Sequence, residues 1–98
     1  MDQVTVKVNF LGELRSSLRR RDMEVCLADS STIADLLSEL SAQLGDRFKR
    51  QLFYDDGTLM HHVSIFVNGN DMKGLAGVNT LLAGGEVDVL ILPTYGGG

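Results

Sequence analysis

Apolar and polar residues alternate strictly near the start of the chain. The apolar positions are Val4, Val6, Val8 and Phe10, and the polar positions between them are Thr5, Lys7 and Asn9. A period of two with one apolar face predicts a half-buried strand over residues 3–10. A second alternation, with Met23, Val25 and Leu27 on its apolar face, predicts an antiparallel partner strand. The polar, glycine-containing connection between the two strands has leucines that allow a short helical stretch.

The clearest helix follows this hairpin. The apolar residues that recur at helical spacing are Ile33, Leu36, Leu37, Leu40 and Leu44. Thr32 and Asp35 have the spacing of a capping box at the helix start. Gly45 has the residue type that commonly ends a helix through a left-handed conformation. The pattern therefore predicts one main helix over residues 32–44.

The second half of the chain predicts further strands. Residues 46–62 lack a clear period and are expected to be irregular, with Phe48, Leu52 and Phe53 packing a short turn on the core and Asp55-Asp56-Gly57 forming a turn. After that come a strand over 63–67, an Asn68-Gly69 hairpin turn, a glycine-rich crossing over 70–80, a tight turn over 81–85 and a final strand over 86–92.

This order of elements predicts an α+β fold of the β-grasp type, a mixed sheet with one main helix packed across it. The last strand is expected in the centre, parallel to the first, because it is densely apolar. Val87, Val89 and Ile91 would face the helix, which leaves Leu90 and Leu92 exposed on the opposite face. An apolar patch there predicts a surface for a partner. The alternative is that residues 46–62 fold over this face and cover it.

The end of the chain carries the strongest functional signal. We expect a β-grasp domain over residues 1–93 and a flexible glycine tail over 94–98. Gly96, Gly97 and Gly98 have no side chains to bury, so nothing offsets the entropy lost in ordering them. Fully extended, residues 94–98 would reach ~17 Å, which suits threading a narrow crevice.

The stretch from Val63 to Gly98 contains FVNG, LLAGGEVDVLILP and a terminal Gly-Gly pair. In this order and register it resembles the ubiquitin-like sulfur carriers, which include the small subunit of molybdopterin synthase and the thiamine-biosynthesis carrier. The resemblance implies that a ubiquitin-activating-type enzyme adenylates the carboxylate of Gly98 with ATP. Sulfur then displaces AMP and leaves a thiocarboxylate. It implies no bound cofactor and no catalytic side chain.

The resemblance also assigns roles along the end of the chain. Gly98 would be the adenylation and thiocarboxylate site, and Tyr95, Gly96 and Gly97 would thread with it into a partner's active site. The residues expected to dock the partner are Leu90, Leu92, Pro93 and Thr94. The partners implied are the adenylating enzyme and a sulfur-acceptor enzyme such as the large subunit of molybdopterin synthase.

Composition narrows the remaining possibilities. The net charge of −4 argues against nucleic acid as the main partner. Arg15, Arg19, Arg20 and Arg21 form a local exception, read as a solvated turn or as a docking site for an acidic protein surface. The single cysteine, Cys26, excludes an internal disulfide and is expected to be buried and inert. The adjacent histidines 61 and 62 are not expected to bind a metal.

No nucleophile–base arrangement, phosphate-binding loop or paired metal ligand is evident, so an independent enzyme is not expected. The N-terminus lacks the pattern of a signal peptide, and no apolar run reaches the ~20 residues of a membrane span. We therefore expect a cytoplasmic protein.

Three functions stay open at this point. The first is a sulfur carrier of the molybdopterin-synthase small-subunit type, which the chain length and the long middle loop favour and which would serve the molybdenum or tungsten cofactor. Cysteine, thiamine, tRNA thiolation and a secondary metabolite are the alternative acceptors. A protein modifier would join Gly98 to lysines of targets, and it would produce covalent adducts of higher mass. A passive β-grasp binding module would keep its activity without Gly97 and Gly98.

Overall fold

The alternating segments and the apolar C-terminal run form one mixed sheet in the computed structural model, which describes residues 2–93. In chain order the strands and helices are β1 (Gln3–Phe10), α1 (Gly12–Leu18), β2 (Asp22–Ala28), β3 (Ser31–Thr32), α2 (Ile33–Leu44), α3 (Asp46–Leu52), β4 (Val63–Val67), β5 (Asn70–Asp71), β6 (Leu81–Leu82) and β7 (Glu86–Pro93). Two short 3₁₀ turns, Met72–Gly74 and Gly77–Asn79, lie in the crossing between β5 and β6.

The strand order of the main sheet is β2-β1-β7-β4-β5. β1 pairs with β2 antiparallel and with β7 parallel, and β7 pairs with β4 antiparallel. The sequence-based predictions of the hairpin and of a central last strand parallel to the first are therefore confirmed, as is the β-grasp fold. β3 and β6 form a separate two-stranded pair.

The core lies between the sheet and the helices. The inward positions of β1, from Val4 to Phe10, are completely buried, as are Val89 and Ile91 of β7. α2 buries its apolar stripe on them. Its N-terminus has the predicted capping box: the Asp35 backbone N–H donates to the Thr32 hydroxyl (3.2 Å), and the Thr32 N–H donates to the Asp35 carboxylate (2.9 Å).

The segment after α2 is more regular than its sequence suggests. Residues 46–52 form the helix α3, whereas the sequence predicts an irregular stretch here. Phe48 and Leu52, four positions apart, are fully buried, and the Phe48 ring meets that of Phe10 edge-on at 6.4 Å. Gly45 separates the two helices with a positive φ of 74° and a ψ of −153°, which is not the left-handed stop expected.

Two smaller predictions are wrong. Cys26 is exposed, because alternation along β2 places it on the face opposite the buried Val25. Leu81 and Leu82 are not part of a tight turn but form β6, in which Leu82 is buried and Leu81 exposed. The predicted turn at residues 55–57 is confirmed by a hydrogen bond from Gly57 N–H to the Tyr54 carbonyl (2.9 Å).

Candidate docking face and chain exit

The side chains of β7 that point away from the helices lie on an open side of the sheet. Leu90 lies opposite Asn9 of β1 and Phe66 of β4 in the strand register, and Leu92 lies opposite Ser64. We call these five residues the outer face. All five are half-buried. Leu90 and Phe66 also line a shallow surface hollow together with Asn9.

The sequence predicts that Leu90 and Leu92 are exposed, and they are less exposed than that. The neighbouring strands explain the difference, because Phe66 lies beside Leu90, and Gly12 approaches Leu92 from the end of β1. The alternative, that residues 46–62 fold over this face, does not hold for the first part of that loop. The first part of that loop is α3, which packs through Phe48 on the helix-covered side of the sheet.

The C-terminal end of β7 is held from both sides. On one side Val63 of β4 pairs with Pro93, which is buried. On the other side the Leu11 backbone N–H donates to the Ile91 carbonyl oxygen at 3.0 Å. A Cβ built on Gly12 would lie 3.4 Å from Leu92 Cδ1, and the φ of Gly12 is +62°. The positive φ therefore favours glycine here, whereas a Cβ would meet its neighbours at ordinary contact distance.

The FVNG segment fixes the opposite end of β7. Asn68 and Gly69 both have positive φ (50° and 85°), the geometry of a tight hairpin turn. The Asn68 N–H donates to the Asp88 carbonyl oxygen (2.8 Å), and the Asn68 side-chain oxygen accepts from the Asp88 N–H (2.9 Å). The sequence predicts the turn from its φ preference, but this reciprocal side-chain bond to β7 has no signal in the sequence.

The predicted site is thus only partly within the described residues. Leu90, Leu92 and Pro93 lie in the C-terminal half of the strand β7. The other predicted site residues, Thr94, Tyr95, Gly96, Gly97 and Gly98, lie outside the described residues. Their assigned roles, and the predicted tail over 94–98, stay predictions.

Other candidate chemistry is weak within residues 2–93. No group of three or more His, Cys, Asp or Glu side chains is placed to hold a metal ion there. Asp56 accepts hydrogen bonds from the Thr58 hydroxyl (2.7 Å) and N–H (3.0 Å), which lower the pKa of its carboxyl group. Asp56 therefore accepts the side-chain hydrogen bonds that stabilise the predicted turn. None of the helices in this part of the chain has the length and apolar character needed to cross a membrane.

Known proteins resemble this chain along nearly its whole length. A protein of Archaeoglobus fulgidus that is named as a sulfur carrier protein is 33% identical over 85 residues, which are 87% of this chain and 93% of the relative. The chain belongs to the ubiquitin-like sulfur carrier family. Small archaeal modifier protein 3 of Haloferax volcanii is 26% identical over 92 residues, 94% of this chain and 98% of that protein. No protein-family model matches the chain.

Solved structures agree with the fold. The crystal structure of SAMP1 from Haloferax volcanii, at 22% sequence identity, has a TM-score of 0.82 over 96% of this chain and 99% of that chain. At this level of identity the likeness establishes the shared β-grasp architecture. The family therefore rests on the sequence relatives, and the fold rests on both comparisons.

Proposed function

We propose that this sulfur carrier is adenylated at the carboxylate of Gly98 and carries sulfur there as a thiocarboxylate. The observation that carries the proposal is the position of β7. This strand is central in the sheet, is held by Val63 at Pro93 and by Leu11 at Ile91, and ends five residues before Gly98. A tail that starts from so rigid a point would be presented to a partner at a defined place.

The chemistry needs no catalytic side chain of the carrier. A carboxylate oxygen of Gly98 attacks the α-phosphorus of ATP, a mixed anhydride with AMP forms, and pyrophosphate leaves. Sulfide delivered by a partner system attacks the acyl carbon, the bond to the AMP oxygen breaks, and the thiocarboxylate and AMP are the products. ATP is bound and used by the adenylating enzyme, and we place the reaction in the cytoplasm.

The role of the described residues is recognition. Leu90 and Leu92 of β7, with Phe66 of the neighbouring β4, would pack against a partner, and Pro93 would set the direction of entry of Thr94–Gly98. Partly exposed apolar side chains grouped at one place on a sheet are typical of a protein–protein contact. Gly96 and Gly97 would let the chain pass where a Cβ would collide with channel walls.

The acceptor we propose is the large subunit of molybdopterin synthase. The support is the sequence resemblance, which is closer to the small subunit of molybdopterin synthase than to the thiamine-biosynthesis carrier in chain length and in the long middle loop. Thiocarboxylates for cysteine, thiamine or tRNA thiolation use the same first step and differ only in the acceptor enzyme.

A second candidate is a protein modifier joined to lysines through Gly98. The specific observation in its favour is the 26% identical relative named as a small archaeal modifier protein. The activated acyl carbon is the same, and the attacking atom would be a lysine nitrogen instead of sulfur. Covalent adducts of higher mass in cell extract, absent for a variant lacking Gly97 and Gly98, would favour this function.

The intact mass of the chain tests the proposal. The full chain is incubated with ATP, a sulfide source and the adenylating fraction of its own cells. The expected result is a mass gain equal to sulfur replacing oxygen, confined to the C-terminal peptide. Omission of ATP is the matched control, and an unchanged mass with all components present would contradict the carrier function.

An extended variant with one extra residue after Gly98 gives an independent check. The carboxylate would then be out of register with the catalytic centre, so no adenylate should form. If the extended chain keeps its full mass and is still adenylated, the role of the Gly98 carboxylate is wrong.

A further inference from the structure

Positive charge is concentrated on two short segments. Residues 12–21 and 46–52 hold seven of the nine basic side chains and two of the thirteen acidic ones, a net charge of +5. Because the chain has a net charge of −4, all other residues together carry −9. The seven basic side chains, the four arginines of 15–21 with Arg47, Lys49 and Arg50, are all exposed. We call them the basic face.

The fold brings the two segments together. Leu14 of α1 is buried in the same core as Phe48 and Leu52 of α3. On the surface, residues Glu13 and Ser17 of α1 line one hollow with α3 residues that include the basic Arg47 and Arg50. Within residues 2–93, none of the seven basic side chains has an acidic partner within 4 Å. Their charge is therefore not neutralised inside the described protein.

The backbone conformation of Arg19 gives a second, independent indication that the basic side chains have a functional role. It ends α1 in the left-handed conformation, with φ 52° and ψ 40°. The N–H groups of Arg19 and Arg20 donate to Ser16 and Arg15 carbonyls (both 3.3 Å), the pattern of a Schellman cap. Glycine is the usual residue at this position because a Cβ is strained there. The backbone conformation at position 19 would favour glycine and does not explain an arginine there. A functional role for the positive charge of Arg19 does explain it.

The helix α1, which carries Arg15 of the basic face, begins beside the point where β7 ends. Gly12, the first residue of α1, approaches Leu92 and the carbonyl oxygen of Pro93. The cause is the parallel pairing of β1 with β7, which places the C-terminal ends of both strands at the same edge of the sheet. A protein that receives the chain beyond Pro93 is thus brought close to α1.

We propose that the basic face docks onto an acidic surface of the adenylating enzyme and speeds the encounter of the two proteins. This inference rests on the proposed function, since it names the chemistry of the partner surface. A protein is favoured over nucleic acid because the rest of the chain, at −9, repels a phosphate backbone. The only aromatic residue in the two segments, Phe48, is buried and offers no platform for base stacking.

Charge reversal with a matched control tests the docking. The variant Arg47→Glu/Arg50→Glu changes two exposed residues of the basic face, and Lys7→Glu/Lys73→Glu makes the same change in net charge at two exposed residues elsewhere. Each full-length chain is assayed for chain-dependent ATP–pyrophosphate exchange with the adenylating enzyme purified from its own cells. Rates are measured at about 0.05 M and about 0.5 M salt, because the Debye length shortens over this range.

The expected result is a drop in kcat/KM of about tenfold or more for the basic-face variant at low salt, with kcat unchanged. The drop should shrink at high salt, and the lysine control should stay within about twofold of wild type. Arg19→Gly should keep or raise the urea midpoint of unfolding and still lower kcat/KM at low salt, which a purely structural role would not produce.

Several outcomes would overturn the inference. Equal losses in both double variants would show an effect of net charge alone, and unchanged kcat/KM in the basic-face variant would remove the docking role. Binding of total tRNA by wild type, measured by gel shift at about 0.15 M salt and lost in the basic-face variant, would assign the face to nucleic acid. If wild type itself supports no exchange, the proposed function fails instead, so the two failures are distinguishable.

Discussion

Leu90 offers the sharpest test of the outer face, through the substitution Leu90→Asp. The leucine side chain is half-buried, between Asn9 and Phe66 on the neighbouring strands. Complete burial of a leucine is worth ~1.5–3 kcal/mol, so about half of this is lost in the free protein. Asp88 lies two residues away on the same face, at ~7 Å along the strand. At that distance two carboxylates repel by ~0.6 kcal/mol in water.

The total cost in stability is therefore ~2 kcal/mol, which a domain stable by ~5–15 kcal/mol survives. The cost in docking is of another kind. When a carboxylate replaces a leucine at the centre of an interface, binding has to desolvate the new charge. Losses of ~2 kcal/mol or more in binding free energy are typical of such positions. Because ~1.4 kcal/mol is a factor of ten, we expect kcat/KM for adenylation to fall about 30-fold or more.

Urea unfolding measures the first effect and the exchange assay the second. Leu81→Asp is the matched control, since Leu81 is 61% exposed and lies on β6, outside the outer face. We expect it to keep both stability and kcat/KM. The reasoning is refuted if Leu90→Asp retains wild-type kcat/KM, or if Leu81→Asp loses as much. A loss of stability above ~4 kcal/mol would show that Leu90 belongs to the core.

Three further predictions concern the domain that supports this face. Phe48→Ala should lower the free energy of unfolding by ~3–5 kcal/mol, because the ring is fully buried against Phe10; a loss below ~1 kcal/mol in urea unfolding would mean that α3 is not anchored there. Thr32→Ala should cost ~1 kcal/mol by the same measurement, whereas Thr32→Ser should keep most of the stability because its hydroxyl can still accept from the Asp35 backbone N–H; equal losses in the two variants would contradict the cap. Asp56 has a lowered pKa in the folded state because Thr58 donates to it, so its contribution to stability is present at neutral pH and is lost as the pH falls through that lowered pKa. Asp56→Asn should therefore flatten the acid side of the pH–stability curve below about pH 4, and an unchanged curve would contradict this.

Local patterns predict much of the fold. β1, β2 and α2 have clean periods of two or 3.6 residues, and their inward positions are more buried than the positions between them. The central position of β7 follows from the density of apolar residues in 86–92. These elements are predictable because each contains its own signal and the core only reinforces it.

The rest depends on contacts between distant parts of the chain. α3 has seven residues and two buried ones, too short to be stable alone, so it forms only because Phe48 and Leu52 reach the core. The half-burial of Leu90 depends on Phe66, which the strand order places beside it. The arginine run of 15–21 is visible in the sequence. Its grouping with Arg47 and Arg50 on one surface depends on the packing of α1 on α3, which the sequence does not show.

The outer face and the basic face should affect different rate constants of binding, and this separates the two surfaces experimentally. Exposed charges act at a distance and govern the rate of encounter, whereas packed apolar side chains govern dissociation. Stopped-flow binding to the adenylating enzyme should therefore show a lower association rate constant for Arg47→Glu/Arg50→Glu and a higher dissociation rate constant for Leu90→Asp. Because the two sets of side chains lie on different elements, their effects on binding free energy should add in the combined variant. If both variants changed only the dissociation rate constant, the basic face would be a packed contact rather than a steering surface.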